Sequence, residues 1–107
     1  METHIRREWF DLILSGKKKY EGRVFDGKRP EYRVGEMLRV NTQNGFADFT
    51  ITELVRADSF LELFEKVGLE NILPGISTPE EGLRVYRECG ISEDREREFG
   101  VVGIGLE

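Results

Sequence analysis

The sequence predicts an α+β fold in a single domain over residues 1–107, a small and mostly antiparallel β-barrel with helices packed at its side. Three observations carry that expectation. Asn44-Gly45 separates two strand-like runs and is the strongest short hairpin signal, so at least one strand pair is antiparallel. Two well-punctuated helices follow it, which a plain β-sandwich would not contain. The chain then closes on Phe99-Gly-Val-Val-Gly-Ile-Gly-Leu106, a glycine-spaced apolar strand suited to a central position where another element approaches closely.

In chain order, Thr3-His4-Ile5 reads as a short first strand ahead of a helix from Arg7 to Leu14. Five of the six positions from Trp9 to Leu14 are apolar, which predicts a helix buried on much of its circumference, with Trp9 in the core. A partly exposed indole beside a basic cleft would instead stack a base. Gly16 ends this helix in the left-handed conformation that glycine adopts most easily. The charged stretch Lys17-Lys18-Lys19-Tyr20-Glu21-Gly22-Arg23 then enters a strand. Alternation puts Glu21 and Arg23 on one face with Lys19 beside them, and Tyr20 and Val24 on the other. Strict alternation does not fix Lys18, which lies too close to Gly16.

Asp26-Gly27 and Pro30 make the next segment a loop, and it carries Lys28, Arg29 and Arg33. Val34-Gly35-Glu36 turns the chain into a strand at Met37–Val40, and the hairpin returns from Phe46 to Val55. Phe49 and Ile51 share one face of that return strand. Its parity breaks near Glu53-Leu54, where a bulge or a strand end is expected. Ser59 and Glu62 form a potential capping box for a helix whose core face is Phe60, Leu63, Phe64 and Val67, stopped by Gly68. After the break at Leu73-Pro74-Gly75, Thr78 and Pro79 start a helix that runs to about Cys89. Glu80 and Glu81 serve its first turn and dipole rather than acid–base chemistry.

Composition narrows the function classes. The formal charge of −5 argues against indiscriminate nucleic-acid binding, but it is unevenly spread. Residues 1–40 hold ten Lys or Arg against seven acids, and residues 41–107 hold six against fourteen, so the two parts carry +3 and −8. That pattern fits one basic face on an acidic body. The lone Cys89 forms no intrachain disulfide and reads as a small buried residue at a helix end. With a single histidine, His4, no metal site is recognisable, and no cofactor is expected. No apolar run approaches a membrane span and the N-terminus lacks signal-peptide order, so the expectation is a cytoplasmic protein. Charged residues make up 35% of the chain with one Gln and three Asn, a composition that leans toward a thermophile.

The charged stretch is the candidate site. Glu21 and Arg23 on one strand face can pair, and the carboxylate can orient the guanidinium toward a phosphate, a carboxylate or a base edge. The competing interpretation is a solvated face or a guarded sheet edge. Gly16, Lys18, Glu21 and Arg23 fit G-x-K-x-x-E-x-R, which resembles the signature of the ASCH domain, a small β-barrel similar to the PUA RNA-binding fold. Trp9-Phe10-Asp11-Leu12-Ile13-Leu14-Ser15, Val34-Gly35-Glu36, Ser59-Phe60 and Phe99-Gly100-Val101-Val102 also fall where that family has similar elements. The resemblance implies a PUA-like barrel and an RNA, nucleotide or nucleoside partner, held at Gly16, Lys17, Lys18, Glu21 and Arg23 with Lys28, Arg29 and Arg33 nearby. It also leaves room for an enzyme. Some similar proteins are amidohydrolases acting on acetylcytidine, and others are described as ribonucleases. Lys18 matches the amidohydrolase lysine, but Glu21 stands where that subgroup has its threonine nucleophile, so Lys18 and Glu21 would be the catalytic pair only by a different mechanism. A protein-interaction domain with a structural signature is the third possibility.

Overall fold

The computed structural model describes residues 1–107. Its elements, in order, are β1 (Glu2–His4), α1 (Arg7–Leu14), β2 (Tyr20–Val24), a 3-10 turn at Arg29–Glu31, β3 (Met37–Thr42), β4 (Gly45–Ala57), α2 (Phe60–Val67), α3 (Leu69–Ile72), α4 (Pro79–Glu88), α5 (Glu93–Phe99) and β5 (Val101–Leu106). The five strands form one sheet in the order β1-β3-β4-β5-β2. Only the β1–β3 pair is parallel. The sheet curls into a half-barrel with β1 and β2 as its edges.

The long β4 makes the curl possible. Its first half pairs with β3 and its second half with β5, and the register shifts between Ile51 and Glu53, at the start of the predicted break in parity. A bulge there bends the strand and increases its twist, so one strand serves both walls. Two apolar clusters fill the fold. One joins Phe10 and Ile13 of α1 to Leu38, Val40, Phe49, Ile51, Val102 and Ile104 inside the curl. The other joins Phe60, Leu63, Phe64, Val67 and Tyr86 of α2 and α4 to Val24 and Val101. The helical spacing read from Phe60 to Val67 is therefore core, as expected.

Glycines permit the close approaches that the sequence suggested for β5. A Cβ at Gly103 would stand 3.1 Å from the Leu63 side chain, and one at Gly105 would stand 2.8 Å from Thr52 Oγ1. Capping follows the sequence with one displacement. Ser59 Oγ accepts from the Glu62 amide at 3.1 Å, but the Glu62 carboxylate reaches back to the Asp58 amide rather than to Ser59 itself. Thr78 caps α4 through the Glu81 amide at 3.2 Å.

Three expectations are corrected. α1 is not buried around most of its circumference: Phe10 and Ile13 are buried, whereas Trp9 is half-buried and Leu14 is 54% exposed. One stripe of the helix, Phe10 and Ile13, faces the core. Cys89 is exposed instead of buried, because α4 ends at Glu88 and Gly90 turns the chain with φ +90°. Phe99 belongs to α5 and not to the final strand, since Gly100, at φ +72°, separates the two.

Candidate functional site

The cleft lies where the half-barrel fails to close. No backbone ladder joins the edge strands β1 and β2. Arg23 spans the gap instead: its Nη2 donates to the His4 carbonyl at 2.6 Å and its Nε donates to Thr3 Oγ1 at 3.3 Å. Against this bridge is a cavity of about 210 Å³, lined among others by Trp9, Lys18, Glu21, Arg23, Tyr86 and Cys89.

The turn after α1 aims Lys18 inward. Gly16, at φ +80°, donates its amide to Ile13, and the Lys17 and Lys18 amides both donate to the Leu12 carbonyl. This is the double bond pattern of a glycine-closed helix end. Lys18 is left 2% exposed, with Nζ donating to the Ile72 carbonyl. The ammonium stands 3.8 Å from Glu21 Oε1 and 5.5 Å from the centre of the Trp9 ring. Burial pushes its pKa down, Glu21 opposes that shift, and Arg23 adds to it.

Glu21 is 4% exposed and has its two oxygens in different situations. Oε1 faces Lys18, while Oε2 is 3.6 Å from Arg23 Nη2 and accepts no hydrogen bond from the protein. Tyr86 presents a second such group. Its ring stacks on Phe60 with centroids 4.0 Å apart, and its buried hydroxyl also lacks a partner. Desolvation raises the phenol pKa well above 10, the Glu21 charge adds to the rise, and Arg23 opposes it. The hydroxyl therefore keeps its proton and can donate. Gly22 makes room for it, since a Cβ there would lie 2.4 Å from the Tyr86 oxygen.

The structure thus brings together Lys18, Glu21 and Arg23 of the residues singled out in the sequence. Gly16 shapes the turn but borders a separate groove with Leu14 and Lys19. Lys19 borders that groove and is not among the residues that line the cleft with Glu21 and Arg23. Lys17 is exposed. Lys28 borders another cavity with Met1, Glu2, Glu31 and Tyr32. Arg29 pairs with Asp26 at 3.6 Å, and Arg33 donates to the Pro30 and Tyr32 carbonyls, each at 2.9 Å.

Sequence reasoning missed Tyr86, Cys89 and Arg6 as lining residues. The one signal was Gly22, a glycine inside a strand, which marks a close approach without saying by what. Trp9, assigned to the core, is the partly exposed aromatic wall of the cleft. Nowhere in the fold do three His, Cys, Asp or Glu side chains converge in a metal-ligating arrangement.

A curled five-stranded half-barrel with helices packed alongside is consistent with a PUA-like fold. The chain belongs to the ASCH domain family, whose sequence profile matches residues 4–107. That family is associated with RNA binding. Among solved structures, the chain is similar to the crystal structure of hypothetical protein PH0355, at 39% identity and a TM-score of 0.89, covering 99% of this chain and 95% of that one. It is also similar to the solution structure of protein PF0455 from Pyrococcus furiosus, at 38% identity and a TM-score of 0.78, covering 100% and 96%. A variant of ZmASCH from Zymomonas mobilis shares the fold at 14% identity and a TM-score of 0.61, over 99% of this chain and 66% of that one. No curated protein matches the sequence.

Proposed function

We propose that the cleft binds one unpaired nucleotide, free or within single-stranded RNA, with the edge of its base directed inward. The observation that carries this is that Glu21 and Tyr86, each carrying a buried polar atom without a hydrogen-bond partner, line one cavity. Leaving buried polar groups unpaired costs free energy, so such atoms call for a partner from outside the protein. A base edge supplies both N–H donors and oxygen or nitrogen acceptors, which match a carboxylate beside a hydroxyl, and Trp9 offers a ring on which to stack. The cavity, at about 210 Å³, is below the range of about 300–1,000 Å³ typical for drug-sized ligands. It suits one base better than a longer group.

Lys18 and Arg23 are committed within the fold, so they border the base and are poorly placed to reach phosphate. The exposed Lys17 and Lys19 supply the salt-dependent part of the affinity, whereas Lys28 borders a different cavity and Arg29 and Arg33 are engaged within their own loop. One feature supports a hydrolytic second reading: burial depresses the Lys18 pKa, as in lysines that act as bases. Neutral Lys18 would then take a proton from a water that adds to the acyl carbon on the bound base, and return it to the exocyclic nitrogen as the C–N bond breaks, releasing a carboxylic acid and the free amine.

A thermal-shift screen against nucleosides, nucleotides and short single-stranded RNAs, acetylcytidine included, tests both. A ligand that binds only the folded protein raises the melting temperature. Glu21→Gln is expected to weaken binding by about 1.5–3 kcal/mol, the usual contribution of a charged hydrogen bond. Unchanged affinity in that variant removes Glu21 from the site, and release of acetate from acetylcytidine makes hydrolysis the activity of the cleft.

A further inference from the structure

We propose that Cys89 is a modification site that shuts the cleft: its thiol exchanges with a small disulfide of amino-acid type, and the half-molecule left on the sulfur takes the space of the bound base. What the adduct displaces rests on the base-binding reading, whereas the reaction of the thiol does not.

The end of α4 sets the position of the thiol. Val85, Tyr86 and Cys89 all line the cavity, as residues three and four apart on one helix face can. The Cys89 amide closes the helix onto the Val85 and Tyr86 carbonyls at 3.2 and 3.1 Å, and Gly90, at φ +90°, turns the chain away into open space. Cys89 is thereby exposed and still on the cavity wall, and it is the only thiol of the chain. A lone thiol by itself defines no site. This one shares a cavity of about 210 Å³ with two side chains that are nine-tenths buried or more and carry a polar atom without a partner, Glu21 through Oε2 and Tyr86 through its hydroxyl.

The charges select the disulfide. Glu21 Oε2 accepts no hydrogen bond within the protein, so an ammonium on the adduct finds an acceptor there. Among the lining cations, Lys18 donates to the Ile72 carbonyl and Arg23 to Thr3 and the His4 carbonyl. Arg6 is exposed and stands outside every ion pair of the fold, so it is free to take a carboxylate. Half of a cystine carries both charges on the carbon next to the one that bears its sulfur. The exchange needs no further reagent. The Cys89 thiolate attacks one sulfur of cystine, the new S–S bond forms as the old one breaks, and cysteine leaves as a thiolate that takes up the proton Cys89 gave up. Excess thiol reverses the step and reopens the cleft.

Reduced protein is treated with cystine, with cystamine, which has the ammonium alone, and with dithiodiglycolate, which has the carboxylate alone. Rates followed by intact mass are each divided by the rate of the same disulfide with mercaptoethanol. Cystine is expected to react fastest on this scale, to add one half-cystine to the wild type and none to Cys89→Ser, and to change Trp9 emission. The adduct is expected to weaken binding of short single-stranded RNA by at least about tenfold, as loss of a charged hydrogen bond does, until dithiothreitol restores it. Arg6→Gln is expected to slow dithiodiglycolate by about fivefold, the usual limit for an exposed ion pair, without slowing cystamine. Relative rates that are equal for the three disulfides and unchanged in Arg6→Gln overturn the site. RNA binding that the adduct leaves unchanged overturns the closing of the cleft. Absence of RNA binding by the unmodified protein overturns the base reading alone, since the rates and the Trp9 response still decide the thiol site.

Discussion

At the scale of single residues, the site is defined by groups that the fold leaves unsatisfied. Tyr86 separates function from structure most cleanly. Its hydroxyl has no protein partner, so removing it relieves an unpaired buried group and leaves the Phe60 stack in place. Tyr86→Phe is therefore expected to melt at the same temperature or higher while binding its ligand more weakly, as thermal denaturation and titration of the same samples would show. Lower stability with unchanged binding would make the hydroxyl a structural group.

Lys18 gives a pH signature. Its folded pKa lies below its ordinary value near 10.5, so between the two the unfolded chain binds the additional proton and stability rises with pH. Two tyrosines act oppositely at higher pH: Tyr20, pushed up to about 12 by its bond to Glu53, and Tyr86, raised by burial. Above about pH 10 the unfolded chain loses phenolic protons that the folded chain keeps, and stability falls. Denaturant midpoints from pH 7 to 11 should rise and then drop, and Lys18→Met should remove the rise. The inward turn of Lys18 was not legible in the sequence, because its direction depends on the Gly16 turn and on a carbonyl at Ile72, far along the chain.

At the scale of elements, Arg23 carries a role that strand alternation does not reveal. The sequence places it correctly beside Glu21, but its hydrogen bonds run to Thr3 and His4 across the open seam. Which strands become edges is a property of the sheet order, and local pattern does not encode it. Arg23→Ala should leave the strand order intact and accelerate amide exchange at Ile5, whose amide donates to Asn41 at the far end of the β1–β3 pair. Arg23→Lys should not restore protection, because a single ammonium cannot span both acceptors as the guanidinium fork does. Unchanged exchange in Arg23→Ala would mean that the seam is held by packing alone. Elements with strong local punctuation were legible: Gly16, Ser59 with Gly68, Thr78 with Pro79, and Asn44-Gly45 all sit at the boundaries they predict. α3 and α5 were not. α3 has only four residues, and α5 is almost wholly charged, with its single buried residue Glu96 fixed by Arg87 and by the Phe60 amide. Neither carries an apolar period.

At the scale of the whole molecule, the fold class was readable because the hairpin, the bulge and the glycine-spaced strand agree with one another, and agreement across levels is what makes a sequence specify one structure. The cleft was only half readable. Lys18, Glu21 and Arg23 are close in sequence, whereas Tyr86 and Cys89 arrive from the end of α4 by tertiary packing. The charge asymmetry likewise resolves into parts. Arg6 borders the cleft and Arg7 beside it pairs with Asp11, while the basic loop at Lys28, Arg29 and Arg33 lies apart and is partly neutralised by Asp26 and backbone carbonyls.

The most direct test of a base-binding cleft uses a feature of the whole chain: Trp9 is its only tryptophan and forms a wall of the cavity. Titrating the protein with short single-stranded RNA while following indole emission should give a saturable change, and the Glu21→Gln variant should need at least about tenfold more RNA to reach it. RNA binding that leaves Trp9 emission untouched, or that is equal in the two proteins, would contradict the account by placing the interface elsewhere on the domain.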